Sequence, residues 1–517
     1  MHGDLANGRR TAMADEKRSN PAASTRREFL KRSVMAMAAP GLAASGAPVP
    51  DSGQASAPQR KKPNVLLYIA DQFRGDFIGA NGRSPMGVTP NLDSMAERGI
   101  CMQNAVTNQP LCSPSRACLF TGLYATQTGV WNLGPGLRPD AVTVATILRG
   151  EGYTANYIGK WHLAPNSHNQ PQSHGYVPPE YRGGFADLWQ ASNELELTSH
   201  PYEGTIWDGD GKPMHFKDVY RVDYLTDLAV RFLKQRHTQP FFLVLSQLEP
   251  HFQNDTNAFI PPKGYIDRYQ NPYAPEDLRF FPGDWQKQLP GYYGDVKRID
   301  ESVGIILKTL AEENLSEDTI VMFISDHGCH FRTRNTEYKR SPHDSSIHIP
   351  LIMQWPGLNQ SRKVSELVSM VDVAPTLLEV LGIATPKPMS GKSFLPLINR
   401  SQARESWQQE AFVQISESMV ARALRTDEWL YCAVAPDGNG GRDPGSMQYQ
   451  EHQMYNVAAD PNQLLNLAGR KDRVDLVHFA GGQSLPEVAA HLRERLIARM
   501  VQAGEEAPQI EPARFYP

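Results

Sequence analysis

Residues 111–122 read Leu111-Cys112-Ser113-Pro114-Ser115-Arg116-Ala117-Cys118-Leu119-Phe120-Thr121-Gly122, and the rest of the chain is organised around them. Pro114 suits the start of a helix, because its ring presets φ and it has no N–H group to leave unpaired. Cys112 then lies just before the helix N-terminus, where the helix dipole and free N–H groups favour an anion. Arg116 adds a planar guanidinium suited to a tetrahedral oxyanion. On its own, the stretch is also compatible with a turn that enters an ordinary helix with a buried cysteine.

The spacing within this stretch is more specific than its local chemistry. Residues 112–116, Cys-Ser-Pro-Ser-Arg, are followed after four residues by Thr121-Gly122. This pattern resembles the active-site motif of the type I sulfatases of the alkaline phosphatase superfamily. In that family the cysteine is oxidised to formylglycine (3-oxoalanine), and the hydrated aldehyde is the nucleophile. The resemblance implies a sulfuric ester hydrolase in which Cys112 is modified by a formylglycine-generating enzyme.

Composition sets outer limits on the protein. The chain has 517 residues, of which 40% are hydrophobic and 21% charged, which leaves room for a large core and two or more structural units. The net charge of −4 gives no reason to expect nucleic acid as a partner. No run of eighteen apolar residues occurs, so no membrane span is expected. Five cysteines in a chain of this length do not indicate a disulfide scaffold, and Cys112 must stay unpaired to be modified.

The N-terminal region predicts export. Residues 1–47 begin with a polar, low-complexity segment that we expect to be disordered. A segment around Arg26 and Arg27 then resembles a twin-arginine signal, and the weakly apolar residues 34–47 follow it. Residues 48–62 read as a linker. The resemblance implies a bacterial protein exported to the periplasm or the medium, with the twin-arginine translocase as a transient partner; a disordered basic tail is the alternative.

Four continuous apolar runs predict strands buried on both faces, and each is followed by polar residues. The four runs are residues 64–70, 153–158, 241–245 and 319–325. The polar residues that follow them are Asp71-Gln72, Lys160 with His162, Glu249 with His251, and Asp326-His327. Because ligands bind at the carboxyl ends of the strands in an open α/β sheet, these residues predict one shared site.

The segments between these strands predict the fold class. Apolar residues with a 3.6-residue period within 296–310 indicate a covering helix, and Thr143 caps another. We therefore predict an α/β fold: a large, mostly parallel central sheet flanked by helices, similar to alkaline phosphatase, over residues 63–400. After residue 400, short strands with tight connections and a helix near 485–501 predict a smaller antiparallel C-terminal subdomain over 401–517.

Two of the strand ends supply metal-ligand chemistry. Asp71, Gln72, Asp326 and His327 offer two carboxylates, an amide and an imidazole, a set suited to a hard divalent cation. The resemblance assigns these four residues to the family's metal positions, with the modified Cys112 as fifth ligand. Gln72 stands where the commonest family pattern has aspartate, and His327 where it has asparagine. Calcium is the first expectation, and magnesium or manganese the second.

The remaining polar residues are assigned to the sulfate. The resemblance places Arg116, Lys160, His162, His251 and Lys339 around this group. Three cations suit a reaction in which negative charge develops on the sulfate oxygens. The two histidines can move protons near neutral pH.

Two further features concern the surroundings of the site. The family pattern has a proline two residues after the histidine at position 251, whereas this chain has Phe252 and then a glutamine, which leaves the geometry of that loop open. His343, Asp344 and His348 follow Lys339 closely and are candidates for contact with the substrate.

The predicted substrate is a sulfated small molecule or saccharide, with a carbohydrate favoured. Aromatic residues in the long loops either line a sugar-binding cleft or pack the loops; these are Trp189, Tyr202, Trp207, Tyr265, Tyr269, Tyr292 and Tyr293. The Gln72 and His327 variants keep open a phosphodiesterase or phosphonate monoester hydrolase of the same superfamily. An unmodified Cys112 would leave a protein that binds anions or glycans without turnover.

Overall fold

The apolar runs form the centre of a large sheet. A computed structural model describes residues 62–166, 174–358, 360–400, 406–470 and 484–514. The predicted export signal, and all of the predicted linker except Lys62, lie outside these residues. Within them the first sheet contains β1 (Asn64–Ala70), β2 (Ile100–Val106), β3 (Thr154–Lys160), β4 (Trp189–Ser192), β5 (Ser199–His200), β6 (Glu203–Asp208), β7 (Pro213–Lys217), β8 (Phe241–Ser246), β9 (Thr319–Ser325), β10 (His348–Gln354) and β11 (Arg362–Ser369).

The strand order is β11-β2-β10-β9-β1-β8-β3-β4-β6-β5, with β7 beside β6. The five central strands, β9-β1-β8-β3-β4, are parallel to one another. Strand β10 is antiparallel to both of its neighbours, and β6 is antiparallel to β4, β5 and β7. The predicted parallel centre is confirmed, and antiparallel strands on both sides make the whole sheet mixed.

Helices cover both faces of this sheet, as predicted. The described helices are α1 (Pro90–Arg98), α2 (Cys112–Thr121), α3 (Ala125–Thr128), α4 (Val144–Gly150), α5 (Leu195–Thr198), α6 (Arg221–Leu233), α7 (Tyr265–Arg268), α8 (Glu276–Arg279), α9 (Trp285–Glu312), α10 (Asp344–Ile347), α11 (Val373–Val380), α12 (Leu395–Ile398) and α13 (Leu485–Gln502). Side chains of β1 alternate between two cores because successive residues of a strand point to opposite faces. Val65, Leu67 and Ile69 pack with α2, α4 and α11, whereas Leu66 and Tyr68 pack with α1, α6 and α9.

Helix positions agree with the sequence in most respects. The predicted covering helix over 296–310 lies within the longer α9. Thr143 caps α4, and its side chain accepts a hydrogen bond of 3.1 Å from the Thr146 N–H group. The helix expected to begin at Pro114 instead begins at Cys112, two residues earlier. Cys112 therefore lies in the first turn of α2, where backbone N–H groups still lack partners within the helix.

The C-terminal part forms a second sheet, which confirms the predicted smaller subdomain. Its strands are β12 (Glu410–Ile415), β13 (Ala421–Thr426), β14 (Trp429–Val434), β15 (Gln448–Asn456) and β16 (Gln509–Glu511). They are antiparallel except for β16, which is parallel to β15, and α13 packs against them through Leu492 and Leu496. Asn108 of the first part bonds this sheet at the Phe412 carbonyl and the Gln414 N–H group, each at 2.8 Å. The division at residue 400 remains our proposal for the two segments.

Two expectations about the whole chain concern cysteines and membrane spans. All five cysteines fall within the described residues, and each is buried and free. None of the described helices is long and apolar enough to cross a membrane.

Candidate active site

The register of the parallel strands brings the predicted residues together. Ala70 of β1 pairs with Ser325 of β9, so the next residues, Asp71 and Asp326, leave the sheet side by side. On the other side of the site, Gly159 of β3 pairs with Ser246 of β8. Gly159 has a φ of +106°, and a Cβ atom there would lie 1.9 Å from the Ser246 carbonyl oxygen, so only glycine fits.

Four buried residues form a group that could hold a metal ion. Asp71, Cys112, Asp326 and His327 each offer a ligand atom, and these atoms lie within 4.8 Å of one another. His327 Nδ1 lies 3.0 Å from the carbonyl oxygen of Gly328, which can only accept a hydrogen bond. Nδ1 therefore carries the proton, and Nε2 is left with the lone pair that a metal requires.

Gln72 completes the donor set. Its backbone has a φ of 68°, in the left-handed region, and its N–H group donates to Asp326 Oδ1 at 3.1 Å. The side-chain Nε2 donates to Cys329 Sγ at 3.3 Å, which fixes the orientation of the amide. The buried Oε1 atom has no hydrogen-bond partner among the described residues. A cation would satisfy this oxygen, since amide oxygens are good ligands for hard metals.

The charges of the group also suit a cation. Burial and the neighbouring charge of Asp71 raise the pKa of Asp326. Against burial and the Cys112 sulfur, Lys160, His251 and Arg116 lower the pKa of Asp71. Two buried carboxylates so close together repel each other, and a divalent cation between them would neutralise both. The residues present therefore fit a hard divalent ion.

Arg116 is completely buried and contacts the carboxylates rather than an open cavity. Its Nε donates to Asp326 Oδ2 and one terminal nitrogen donates to Asp71 Oδ2, both at 3.2 Å. The other terminal nitrogen donates to Ser246 Oγ at 2.8 Å and to the Lys160 carbonyl at 3.0 Å. These contacts place the guanidinium beside the two carboxylates, and the contact of Arg116 with the sulfate stays a prediction.

Cys112 lies where cations surround its side chain. Its Sγ atom is 2.9 Å from Lys339 Nζ, 3.4 Å from His327 Nε2 and 3.7 Å from Lys160 Nζ. Although burial opposes ionisation, Lys160 and Lys339 hold the pKa of Cys112 well below its ordinary value. The N-terminal turn of α2 adds to the same effect. Position 112 therefore stabilises a negatively charged atom.

The loop after β8 reaches this position despite its departure from the family pattern. His251 Nδ1 donates to the Phe252 carbonyl at 2.7 Å, so Nε2 is free to face Lys339 Nζ at 3.1 Å. The Phe252 ring stacks on the His251 ring, with centroids 4.6 Å apart. Burial and the Lys339 charge lower the pKa of His251. The stacked phenylalanine thus holds the imidazole beside the lysine.

Two glutamates belong to the site and were missed by the sequence analysis. Lys160 Nζ donates to Asp71 Oδ2 and to Glu196 Oε1, each at 2.8 Å. His162 lies between the two glutamates, with Nε2 3.6 Å from Glu194 and Nδ1 3.7 Å from Glu196. Burial and Lys160 lower the pKa of His162, but Glu196, the Cys112 sulfur and Glu194 outweigh them and raise it to about 9.

A signal for these glutamates was present in the sequence. They follow β4, another parallel strand that ends at the same edge. This strand has only four residues and includes Gln190, so it lacks the continuous apolar run that identified the other strands. A search for polar residues after short strands would have found Glu194 and Glu196.

Three of the seven aromatic residues belong to the core rather than to a cleft. Trp189 is 1% exposed and stacks on Tyr157 with ring centroids 5.4 Å apart. Tyr292 and Tyr293 are fully buried, and both pack on Phe77. The cleft interpretation is wrong for these three residues, because their rings fill the space between sheet and helices. Tyr202, Trp207, Tyr265 and Tyr269 are partly buried.

The three candidates for substrate contact after Lys339 are structural. Asp344 makes two hydrogen bonds of 2.8 Å with Arg425 of the second sheet. His343 lies 3.2 Å from the Tyr455 hydroxyl, and His348 Nε2 donates to a main-chain carbonyl at 2.9 Å. His343 and His348 are buried, and Asp344 is partly buried. The interpretation as substrate contacts is wrong, since they join the two sheets or stabilise the first.

Comparison with known proteins identifies the class. The family described as Sulfatase matches residues 63–383, and the family N-sulphoglucosamine sulphohydrolase, C-terminal, matches residues 336–433. The chain belongs to the sulfatase family and is a sulfuric ester hydrolase.

Individual relatives agree with this assignment. An ulvan-active sulfatase of Formosa agariphila is 30% identical over 432 residues, which cover 80% of this chain and 78% of the relative. Arylsulfatase K of Mus musculus is 28% identical over 464 residues, which cover 82% and 79%.

Solved structures share the fold. A protein from work on glycosaminoglycan metabolism by Bacteroides thetaiotaomicron has a TM-score of 0.73 at 23% identity. The alignment covers 86% of this chain and 97% of that protein. A protein in complex with its substrate D-glucosamine-2-N,6-O-disulfate has a TM-score of 0.67 at 21% identity, over 87% and 99%. A phosphonate monoester hydrolase of Agrobacterium radiobacter has a TM-score of 0.61 at 21% identity, over 85% and 96%.

Proposed function

We propose that this sulfatase uses a formylglycine made from Cys112 to hydrolyse a sulfate ester on a carbohydrate. The observation that carries the proposal is the setting of Cys112. It lies in the first turn of α2, beside the carboxylate and imidazole group, with Lys160 and Lys339 next to its side chain. A buried position with two lysines beside it suits a nucleophile that attacks an anionic ester.

The chain's own residues have distinct tasks in this proposal. Lys160 and Lys339 bind the sulfate oxygens and offset the charge that develops on them. Arg116 keeps the two carboxylates in place. His162, held protonated between two glutamates, donates a proton to the leaving oxygen, and His251 takes one up. A formylglycine at position 112 would supply the hydrated aldehyde as oxygen nucleophile.

The metal completes the charge balance. Asp71, Gln72, Asp326 and His327, with the modified residue 112, would hold one divalent cation. Calcium is our first choice, because three of the four unmodified ligands offer oxygen, and magnesium or manganese is the second. The cation would supply Lewis-acid stabilisation of an oxygen nucleophile.

The carbohydrate substrate is supported by the relatives. The Formosa agariphila relative is named for activity on ulvan, and one structure with the same fold contains a disulfated glucosamine as substrate. Contacts with the sugar can be used to position the ester for attack, so a saccharide gains rate that a small aryl ester cannot.

The test is a comparison of substrates with enzyme co-expressed with a formylglycine-generating enzyme and supplied with calcium. We expect kcat/KM for a sulfated oligosaccharide to exceed that for nitrophenyl sulfate, with release of inorganic sulfate. Desulfated oligosaccharides serve as the control. Fast cleavage of nitrophenyl sulfate without sulfate release from any oligosaccharide would contradict the carbohydrate substrate.

A phosphodiesterase or phosphonate monoester hydrolase is the second candidate. The pair Gln72 and His327 in the metal group keeps it open, and a phosphonate monoester hydrolase has the same fold. Rates on an aryl sulfate and on an aryl phosphate diester would separate the two, since the preferred substrate should have the higher kcat/KM.

We also propose that the protein is exported through the twin-arginine route. The support is the signal-like segment around Arg26 and Arg27. Export of a folded protein suits an enzyme whose cysteine is modified by a formylglycine-generating enzyme in the cytoplasm.

A further inference from the structure

A carboxylate lies in the wall of a site that should bind an anion. Glu196 is 7% exposed, and its Oε1 atom accepts a hydrogen bond of 2.8 Å from Lys160 Nζ. The same Nζ atom is 3.7 Å from Cys112 Sγ, so the carboxylate is one residue removed from the position of the nucleophile. Its Oε2 atom is buried and has no hydrogen-bond partner within the described part of the chain. Lys160 and, at 3.7 Å, His162 Nδ1 both lie beside Oε1, whereas Oε2 makes no hydrogen bond to offset its share of the negative charge.

Glu196 is not needed to keep Lys160 charged. Lys160 already has Asp71 as a counterion at 2.8 Å. Despite burial, Lys160 and His162 lower the pKa of Glu196 to about 2, so it is ionised at neutral pH. The second carboxylate thus reduces the positive charge available to an incoming anion without being required for the burial of the lysine.

The possible ligands differ in charge, so a lower positive charge in the site affects their binding unequally. A sulfate ester carries one negative charge, whereas the product, inorganic sulfate, carries two. A phosphate monoester also carries close to two at neutral pH. A fixed carboxylate near the bound group repels a dianion about twice as strongly as a monoanion.

We propose that Glu196 is a specificity-determining residue that favours monoanionic sulfate esters over dianions, both phosphate monoesters and the sulfate product. This inference rests on the proposed function and deepens it. Lys160 and the metal attract any oxyanion, whereas Glu196 repels the second negative charge of a dianion. Product release and discrimination against phosphate monoesters then have one common cause.

The experiment compares wild type with Glu196→Gln and Glu196→Asp in the calcium-loaded enzyme. Binding of methyl sulfate, a monoanion, and of inorganic sulfate, a dianion, is measured by calorimetry. In Glu196→Gln we expect the preference for methyl sulfate over inorganic sulfate to fall by about tenfold or more, since a unit charge so near is removed. Glu196→Asp keeps the charge and should retain most of the preference. In Glu196→Gln, inhibition by inorganic sulfate should strengthen, and activity on an aryl phosphate should rise relative to the aryl sulfate.

Other results would overturn the proposal. If both variants lower the affinity for methyl sulfate and the affinity for inorganic sulfate by the same factor, the only role of Glu196 is to hold Lys160 in place. If Glu196→Gln does not fold, the affinities of the wild-type enzyme provide the test. The proposal requires wild type to bind methyl sulfate at least as tightly as inorganic sulfate, and tighter binding of inorganic sulfate would contradict it. Failure of the proposed function would give a different result from failure of the Glu196 proposal. In that case the wild-type enzyme would release no sulfate from any ester, whichever anions the variants bind.

Discussion

Replacement of Arg116 by methionine tests the idea that this residue holds two carboxylates ready for a metal. The substitution removes four hydrogen bonds from a side chain that is fully buried. Asp71 and Asp326 lose a shared counterion, and breaking a buried ion pair in this way costs about 3–5 kcal/mol. We expect the metal-free variant to lose stability by that amount.

Calcium should recover part of this loss, because a divalent cation between the two carboxylates replaces the missing charge. What remains is the loss of two hydrogen bonds, one to the Ser246 hydroxyl and one to the Lys160 carbonyl, which costs about 1–3 kcal/mol. The carbonyl keeps its other hydrogen bond, of 2.6 Å, from the Tyr157 hydroxyl. The difference of about 2 kcal/mol corresponds to roughly 30-fold tighter calcium binding in the variant than in wild type.

The assay is denaturant unfolding with and without calcium. Arg425→Met is the matched control, because Arg425 also makes two hydrogen bonds to a carboxylate, the partly buried Asp344, but lies outside the metal group. Its loss of stability should be the same with and without calcium. A contradictory result would be that calcium leaves the loss of unfolding free energy in Arg116→Met unchanged, or that it reduces the losses in Arg116→Met and Arg425→Met equally. Arg116 would then not hold the two carboxylates of the metal group.

The remaining predictions concern the nucleophile, the metal, acid stability and export. Cys112→Ala should keep its melting temperature but lose more than about a hundredfold in kcat, and a smaller loss would exclude Cys112 as nucleophile. Asp326→Ala should abolish calcium binding, so unchanged metal content would contradict the site. Burial lowers the pKa of His330 to about 3, so the stability it contributes is present above pH 6.5 and falls as pH decreases toward 3. His330→Gln should reduce that slope by at most about 1.4 kcal/mol per pH unit, measured as unfolding free energy, and an identical slope would refute this role. Replacing Arg26 and Arg27 by lysine should retain the protein in the cytoplasm, and normal export would show that the pair is incidental.

The centre of the fold could be predicted because it depends on simple patterns. Buried parallel strands need continuous apolar residues, and the polar residues that follow them must meet at one edge. Asp71 and Asp326 were found in this way, and the register of β1 and β9 places them side by side. The antiparallel strands beside this centre are less regular, and the sequence did not give their order.

The rest of the site depends on contacts that no local pattern encodes. Arg116 was assigned to the sulfate by its chemistry, but the direction of its guanidinium depends on Ser246 and the two carboxylates. Trp189 could stack on a sugar as readily as on a protein ring, and only the packing around Tyr157 decides. Glu196 became recognisable when the short strand β4 was seen to end beside Lys160.

The most direct test of the proposed chemistry is the mass of the peptide that contains Cys112, taken from enzyme that hydrolyses a sulfate ester. Conversion of the cysteine to formylglycine replaces the thiol side chain by an aldehyde, which lowers the peptide mass and allows labelling with a hydrazide. We predict that the active fraction carries this aldehyde and that its amount rises in proportion to activity when the formylglycine-generating enzyme is co-expressed. Full activity in a preparation whose Cys112 peptide carries only the intact thiol would contradict a formylglycine nucleophile.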